Sequence, residues 1–498
     1  MPLTALLRDL SSPYNPSGKT LAVILAAGHG KRIKSEKSKM LHEIWGVPTV
    51  ERVHRAMVKG LPGCISSVVV GVKAADVAGT IGRSKNTRYV CQEKQNGTGH
   101  AVQVALQGKI PNTVRHCYVL PGDMGLLNAA EVRSFHKAFL RSGCDMMVLT
   151  GIYEGDPSEN YYGRIIRAKP LTRDGKRSRH AGAVIEIKEH RDIQALKNDY
   201  EVSYRDESFT FTRDELLAIP EFNSGVYGFK MKPLLTHINR IESDNTQGEI
   251  YLTDLIAMFN QGNLKVGARS ASDATVILGF NNKSVLKEMD NIARQRTYEL
   301  LKDVITFHDP DHFFLADQVV DQIVRLDKKG EPLDIVIGEG VHVGPKVKIG
   351  TGLKLGRNAT VKGTVKFGRN VSVGEGSVLN TYPGQEIVLG DNVEIMVGDQ
   401  LNGNITIAPN TRIEGGVRIT GSDDHRVRIG SHVRIKGSTY LYGCIIEEGV
   451  HMEHCFIKQK RIRAVRREDG SIQAVRFYRP MPEGMDSVVE MADPVKRK

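Results

Sequence analysis

Hydrophobic residues follow two different patterns along this chain of 498 residues. Up to about residue 330, short apolar runs alternate with longer segments in which apolar residues recur at helical spacing. The runs typical of buried strands are 21–28, 66–72, 116–123 and 145–153. Helices are predicted between them at 50–59, 100–107 and 129–140. This alternation predicts a Rossmann-like α/β domain with a mixed, mostly parallel sheet, which binds ligands at the carboxyl ends of its strands.

The second half of the chain has a period of six. Apolar residues recur at every sixth position from Ile337 to Val373, and a second apolar row runs from Val341 to Val371. Glycine follows most residues of the first row. Six residues form one side of a triangular coil, so the two rows predict a left-handed parallel β-helix of hexapeptide repeats. The phase is lost near residues 381–385 and partly returns afterwards.

These patterns predict four segments. They are a flexible leader (1–19), the α/β domain (20–330), the β-helix (331–457) and a basic C-terminal hairpin and tail (458–498) that turns at Asp469 and Gly470. No apolar run approaches the roughly 20 residues that a membrane span needs, so no membrane partner is expected. The six cysteines form no CxxC pair, which fits reduced thiols in a cytoplasmic protein.

The net charge of +12 favours anionic partners. Part of this charge is local, because residues 458–467 contain six basic side chains in ten. Nucleotides and sugar phosphates suit such a charge as well as nucleic acid does. No nucleic-acid recognition motif accompanies the basic segment, and we therefore expect no nucleic-acid partner.

The segment LAAGHGKR (25–32) directly follows the first predicted strand. Gly28 and Gly30 would let backbone N–H groups approach a phosphate, and Lys31, Arg32 and Lys39 add positive charge nearby. The segment lacks the third glycine of the dinucleotide fingerprint and the GK[ST] ending of a P-loop. A phosphate site of a different kind is therefore indicated.

Further polar segments follow other predicted strands. Gln92 could contact the edge of a base and the Gly97–Thr98 backbone could lie against its ring, although an ordinary strand-to-helix turn explains this segment equally well. Asp123 ends a strand, and Asn281 lies in the later segment GFNN (279–282). Carboxylate and amide oxygens of this kind are suited to holding Mg²⁺ together with phosphate oxygens.

Taken in order, the motifs resemble those of the sugar-nucleotide pyrophosphorylases. The motifs are LAAGxGxR…K, Q…GTGHA, GD, YGR, VIE, NSG, QGEIYLTD and NN, over residues 20–310. They are most similar to the uridyltransferase half of bacterial bifunctional N-acetylglucosamine-1-phosphate uridyltransferase. The resemblance implies Mg²⁺-dependent transfer of UMP from UTP to N-acetylglucosamine 1-phosphate. It also implies a homotrimer that assembles through the β-helix.

The resemblance also implies a role for individual residues. Arg32 and Lys39 would act on the triphosphate as catalytic residues, and Asp123 with Asn281 would bind Mg²⁺. The other implied contacts are Leu25, Ala26, Ala27 and Gly28 under the nucleotide; Gln92, Gly97 and Thr98 on the uracil; Gly163, Glu186 and Asn223 on the sugar; and Thr253 on the sugar phosphate.

The chain also departs from this family. The RPGA-type, HxGNFVE and NYDG stretches of the acetyltransferase half are missing, so acetyl transfer is not expected, and the β-helix is predicted to serve assembly or regulation. Another acyl transfer on this scaffold is an alternative. Ser38 and Pro121 differ from the usual residues near the substrates. Two alternatives are therefore also open. The first is the same chemistry on glucose 1-phosphate or with another nucleotide, and the second is a non-catalytic regulatory protein that binds nucleotide sugars.

Overall fold

The computed structural model describes residues 2–28, 30–157, 160–243, 245 and 248–481. The chain divides into two compact units, Met1–Ala293 and Arg294–Lys498. The predicted segment boundaries at residues 19, 330 and 457 stay predictions. The last part of the predicted basic tail, residues 482–498, lies outside the described residues.

The first unit is an α/β domain. Its strands are β1 (Thr20–Ala26), β2 (Glu43–Ile44), β3 (Val47–Pro48), β4 (Ile65–Val70), β5 (Thr87–Cys91), β6 (His116–Pro121), β7 (Met146–Ile152), β8 (Arg164–Arg167), β9 (Val184–Lys188), β10 (Tyr200–Tyr204), β11 (Glu207–Phe211), β12 (Glu221–Lys230) and β13 (Val266–Ser270). Its helices are α1 (Leu3–Leu10), α2 (Thr49–Gly60), α3 (Ala74–Ile81), α4 (Thr98–Leu106), α5 (Ala129–Ser142), α6 (His190–Gln194), α7 (Arg213–Ala218), α8 (Met231–His237) and α9 (Leu255–Gln261), followed by α10 (Lys283–Leu301).

The main sheet of this unit has the order β5-β4-β1-β6-β12-β7-β13 among the described residues. Strands β5, β4, β1 and β6 are parallel, β12 is antiparallel to both of its neighbours, and β13 is parallel to β7. The prediction of a mixed, mostly parallel sheet is confirmed. Strand β1 is apolar along its length because both faces of the sheet are covered: Ala22 and Ile24 join one core cluster, and Leu21 and Val23 join the other.

The N-terminal segment differs from the flexible leader that was predicted. Residues 3–10 form helix α1, in which Leu7 is buried, and the backbone N–H of Ser12 donates to the carbonyl of Thr87 at 2.8 Å. The physical reason lies in the sequence, because Leu3, Leu6, Leu7 and Leu10 have the i, i+3, i+4, i+7 spacing of an amphipathic helix.

The second unit is a left-handed β-helix of three parallel sheets in its described part, with α11 (Asp317–Asp327) inserted between its second and third strands. The first sheet contains β14 (Thr306–Phe307), β16 (Val336–Ile337), β19 (Lys354–Leu355), β22 (Ser372–Val373), β25 (Glu394–Ile395), β28 (Arg412–Ile413), β31 (Arg434–Lys436), β34 (His451–Glu453) and β37 (Val475–Arg476). The second contains β15 (Phe313–Leu315), β17 (Val341–Val343), β20 (Thr360–Lys362), β23 (Val378–Asn380), β26 (Gln400–Gly403), β29 (Arg418–Gly421), β32 (Tyr440–Tyr442) and β35 (Phe456–Lys458). The third contains β18 (Val347–Lys348), β21 (Val365–Phe367), β24 (Ile387–Leu389), β27 (Ile405–Ile407), β30 (Val427–Ile429), β33 (Ile445–Ile446) and β36 (Arg461–Ile462).

The strand register of this unit explains the period of six. Ile337 is paired with Leu355, so one coil contains three six-residue sides, and both side chains are buried. Where the phase is lost, Phe367 is paired with Leu389, so this coil is four residues longer and the stack continues. Strands β36 and β37 extend the stack beyond residue 457, and an antiparallel bridge between Arg466 and Ile472 lies between them.

No helix in the described part of the chain combines the length and the apolar character that crossing a membrane requires.

Candidate functional site

The candidate site lies at the carboxyl ends of β1 and β6. From β1 the chain adds β4 and β5 on one side of that strand and then returns to place β6 on the other side, which makes this edge the point where the strand order reverses. A cleft of about 1230 Å³ opens here, hereafter the cleft. The cleft is lined by four of the residues that were predicted for the site: Gly28, Arg32, Lys39 and Asn281.

Lys39 is the centre of the phosphate end of the cleft. Its Nζ forms an ion pair with Asp123 Oδ2 and donates to Asn281 Oδ1 at 3.0 Å. The ammonium also lies 5.3 Å from the centre of the Phe280 ring. Gly30 packs on the Lys39 stem so closely that a Cβ there would lie 2.7 Å from Lys39 Cβ. The glycine turn, the cation and the two oxygen donors therefore meet at one point, although Lys39 and Asn281 alone are 242 positions apart in sequence.

The donors around Lys39 fit the predicted magnesium site. Asp123 and Asn281 both direct an oxygen atom at the same ammonium, so one cation can reach both. A carboxylate and an amide oxygen, completed by phosphate oxygens and water, are the ligands that Mg²⁺ takes in such sites. The two residues would hold the ion, and the bound ion would supply charge stabilisation for phosphate oxygens.

The predicted base-binding residues are held together by hydrogen bonds, in an arrangement hereafter called the clip. Gln92 is buried, and its Nε2 donates to the carbonyl of Gly97 at 3.1 Å and lies 3.0 Å from His100 Nδ1. The N–H of Leu252 donates to Thr98 Oγ1 at 3.1 Å. At Gly97, φ is +103°, and a Cβ would lie 2.5 Å from the carbonyl oxygen of Ile250. Only glycine allows this approach, so the GTGHA and EIYLTD segments are held in contact.

The predicted sugar residues Gly163 and Asn223 lie side by side. The N–H of Asn223 donates to the carbonyl of Gly163 at 2.9 Å. A Cβ on Gly163 would lie 3.1 Å from Oε1 of Glu189, a residue that the sequence analysis did not select. Glu189 lines the cleft together with Arg32 and Lys39.

Glu186 lies in a different setting from the other predicted sugar residues. Its Oε1 accepts a hydrogen bond of 2.6 Å from the hydroxyl of Tyr200, which begins the β10–β11 hairpin. It lines a smaller cavity of about 370 Å³, hereafter the side cavity, together with Glu189, Thr253 and Asp254. Because Glu189 lines both spaces, the side cavity adjoins the cleft.

Burial raises the pKa of the carboxyl groups here. The pKa of Glu189 is raised to about 7 by burial, then by the charges of Asp192 and Asp254. The pKa of Asp254 is raised to about 6 by burial, then by Asp192 and Glu186. Strongly shifted carboxyl groups in a cleft are typical of functional sites. The position of Glu189 directly after strand β9 was the sequence signal available for it, since ligands gather at strand ends.

A second feature that the sequence analysis missed is the wall formed by Tyr161 and His190. The two rings meet edge to face at 5.3 Å between centroids, and both residues line the cleft. Tyr161 is 67% exposed, whereas both ring nitrogens of His190 are buried and have no hydrogen-bond partner among the described residues. Burial, followed by the charge of the buried Arg164, lowers the pKa of His190.

Comparisons with known proteins give one family model and several relatives that match this chain. Residues 22–186 match the family model of the MobA-like NTP transferase domain. Two relatives named bifunctional protein GlmU are each 32% identical: the protein of Acetivibrio thermocellus over 60% of this chain and 57% of its own length, and that of Heliobacterium modesticaldum over 66% and 65%. A third protein of that name, from a Geobacillus species, is 28% identical over 85% of this chain and 78% of its own length. The chain therefore spans less than two thirds of the first two relatives.

Proposed function

We propose that this chain, whose first unit contains a MobA-like NTP transferase domain, is a sugar-1-phosphate nucleotidyltransferase. The reaction is Mg²⁺-dependent transfer of UMP from UTP to N-acetylglucosamine 1-phosphate, with release of pyrophosphate. The observation that carries the proposal is the meeting of Lys39, Asp123 and Asn281 in a cleft at the reversal point of the sheet. The similarity to relatives named bifunctional protein GlmU supports the proposal.

The chemistry requires little covalent assistance from the protein. An oxygen of the ionised sugar phosphate attacks the α-phosphorus of UTP, and the bond to the pyrophosphate oxygen breaks on the opposite side. No proton has to be removed from the nucleophile, so no general base is required. Lys39 and Arg32 align the triphosphate and offset the repulsion between the two phosphate groups, which is the main barrier to this reaction.

The other assignments follow the positions of the residues. The turn Leu25–Gly28 would lie under the nucleotide, with the clip of Gln92, Gly97 and Thr98 at its base. Gly163, Asn223 and Thr253 would contact the sugar and its phosphate. Of the two carboxylates, Glu189 is the better candidate for a sugar contact, because it lines the cleft and lies beside Gly163, while Glu186 is bonded to Tyr200. From the resemblance alone, we also propose that the β-helix assembles the chain into a homotrimer.

The test is pyrophosphate release with Mg²⁺ over a grid of UTP, TTP, ATP and GTP against several sugar 1-phosphates. Release mainly with UTP and N-acetylglucosamine 1-phosphate is expected. A different preferred pair would correct the substrate, and no release from any pair would reject the enzymatic function.

A lysine pair supplies the matched control for this test. Lys39→Ala is expected to lower kcat by about 10²-fold or more, since the contact of Lys39 with the phosphates strengthens in the transition state. Lys37 lies two positions away, is exposed and pairs only with Glu43 in the described structure, so Lys37→Ala should leave kcat within about twofold. An unchanged kcat in Lys39→Ala would remove Lys39 from the reaction.

A further inference from the structure

Strand β12 carries a bulge at the predicted sugar residue Asn223. Its pairing with β7 shifts register between Asn223 and Tyr227, and Gly225 within the bulge has φ of +80°. The bulge turns the strand so that the Asn223 side chain meets atoms of its own strand. This local geometry determines which atoms of the amide are left for a ligand.

The orientation of the Asn223 amide follows from its partners. The backbone N–H of Gly225 is 2.8 Å from Oδ1, and the hydroxyl of Tyr227 is 3.0 Å from the same atom. A backbone N–H can only donate, so the amide atom that faces it must be the oxygen. The two donors use both lone pairs of Oδ1, while Nδ2 makes no hydrogen bond to any residue that the structure describes.

Tyr227 is held in the state that can donate. The residue is 3% exposed, and burial, followed by the charge of Glu189, raises the pKa of its hydroxyl far above the usual value. The hydroxyl therefore keeps its single proton at any physiological pH, and the distance to Oδ1 shows where that proton is donated. Its hydrogen bond to Asn223 links Tyr227 to the predicted sugar residues.

We propose that Tyr227 is a positioning residue that fixes the Asn223 amide as a donor-only contact, so that the substrate must present a hydrogen-bond acceptor to it. The proposal rests on the nucleotidyltransferase function and concerns its sugar specificity. A hydroxyl or an acetamido oxygen satisfies the requirement. An ammonium group at the same position does not, because it has donors only and would face the Nδ2 donors unpaired.

The test compares sugar 1-phosphates that differ at one position. N-acetylglucosamine 1-phosphate is measured beside analogues in which one ring substituent is replaced by hydrogen or by fluorine, which still accepts a hydrogen bond. With the wild-type protein, replacement by hydrogen at one ring position should lower kcat/KM about five- to tenfold, and replacement by fluorine at the same position should lower it less. This position identifies the group that faces Asn223.

The variant Tyr227→Phe removes only the orienting hydroxyl. In this variant, kcat/KM for N-acetylglucosamine 1-phosphate should fall about five- to tenfold because its KM rises, while the KM for UTP should stay within about twofold of the wild-type value. Replacing the substituent at the identified position by hydrogen should cause no further loss of kcat/KM in the variant. Tyr118→Phe is the matched control, because Tyr118 is equally buried in the adjacent strand β6 and its hydroxyl bonds to His136 Nδ1 at 2.5 Å. In the control variant, the hydrogen analogue should still show the roughly five- to tenfold lower kcat/KM that the wild-type protein shows.

Two results overturn the proposal, and they differ from failure of the proposed function. If a folded Tyr227→Phe protein still loses as much kcat/KM as the wild type when hydrogen replaces the substituent at the identified position, Tyr227 does not orient Asn223. An equal loss toward UTP would show a general structural effect. If the wild-type protein releases no pyrophosphate with any pair of substrates, the proposed function is wrong and the proposal for Tyr227 is rejected with it.

Discussion

At the residue scale, the two ends of the site differ in how well their polar groups are satisfied. At the phosphate end, the Lys39 ammonium is paired with Asp123 and Asn281. At the sugar end, Nδ2 of Asn223 and both ring nitrogens of His190 have no hydrogen-bond partner among the described residues. Polar groups left unpaired in a protein cost free energy that a ligand can recover. A ligand that offers a hydrogen-bond acceptor to Nδ2 of Asn223 therefore gains a bond without breaking one inside the protein, whereas a triphosphate must compete for Lys39.

The two neighbouring carboxylates give a prediction at this scale. Because the pKa of Glu189 is about 7, its ionised fraction rises between pH 6 and pH 8, and only the ionised form accepts hydrogen bonds with both oxygens. We expect kcat/KM for the sugar 1-phosphate to rise with pH through an apparent pKa near 7 in the wild-type protein. In Glu189→Gln this rise should be lost, and KM for the sugar should increase about tenfold.

Glu186→Gln is the control for that measurement. Titration of the sugar phosphate itself affects all three proteins equally, so the ratio of variant to wild type isolates the carboxylate. Glu186 is bonded to Tyr200 and lines the side cavity but is not among the residues that line the cleft, so its variant should keep the pH dependence of the wild type. If Glu186→Gln loses the rise and Glu189→Gln keeps it, the assignment of Glu186 to the sugar that the resemblance implies is correct and the assignment of Glu189 is wrong.

At the element scale, the sequence predicted those features that a local period determines. The run predicted at 21–28 is strand β1, and the six-residue rows form the β-helix, because in each case neighbouring residues share one environment. The contact of Glu189 with Gly163 is different. It depends on where β9 ends relative to a loop 26 positions earlier, and no local pattern contains that information. The same holds for the hairpin that brings Tyr200 to Glu186.

The clip between two loop segments gives the prediction at this scale. Gly97→Ala forces a Cβ to within 2.5 Å of the Ile250 carbonyl and strains a φ of +103°, so the loops must separate. We expect a loss of about 1–3 kcal/mol in unfolding free energy and weaker UTP binding, measured by denaturant titration and calorimetry. Gly79→Ala in helix α3, where a Cβ meets nothing within 4 Å, should instead stabilise by about 0.5–1 kcal/mol and leave UTP binding unchanged. Equal UTP binding by wild type and Gly97→Ala would mean that the clip does not shape the base site.

At the scale of the whole molecule, the two units rely on different kinds of core. The first unit packs helices on both faces of a sheet, whereas the β-helix stacks apolar side chains coil on coil. One charged group interrupts the interior of the second unit. Asp399 is completely buried, and its carboxylate accepts backbone N–H bonds from Val417 at 2.8 Å and Met396 at 3.1 Å. No cationic side chain pairs with it among the described residues.

Asp399 makes the stability of the molecule depend on pH. Burial raises the pKa of Asp399 to about 7, against 3.8 for the ordinary side chain, although the N–H donors oppose this shift. Between these two values the folded chain holds a proton on Asp399 that the unfolded chain has released, so the contribution of Asp399 to the free energy of unfolding falls as pH rises from about 4 to 7. The full shift corresponds to at most about 4 kcal/mol.

Asp399→Asn replaces the carboxyl by a group of the same shape that cannot ionise, and thereby removes this penalty. The stability of the variant relative to the wild type should therefore increase by about 1–3 kcal/mol between pH 5 and pH 8. Guanidinium titrations at fixed ionic strength measure this difference in unfolding free energy. Asp391→Asn is the control, because Asp391 is only partly buried and bonds from Arg369 lower its pKa, so its difference from wild type should stay constant over this range. A difference for Asp399→Asn that is equally constant would mean that water or a local opening reaches Asp399 and keeps it ionised in the folded protein.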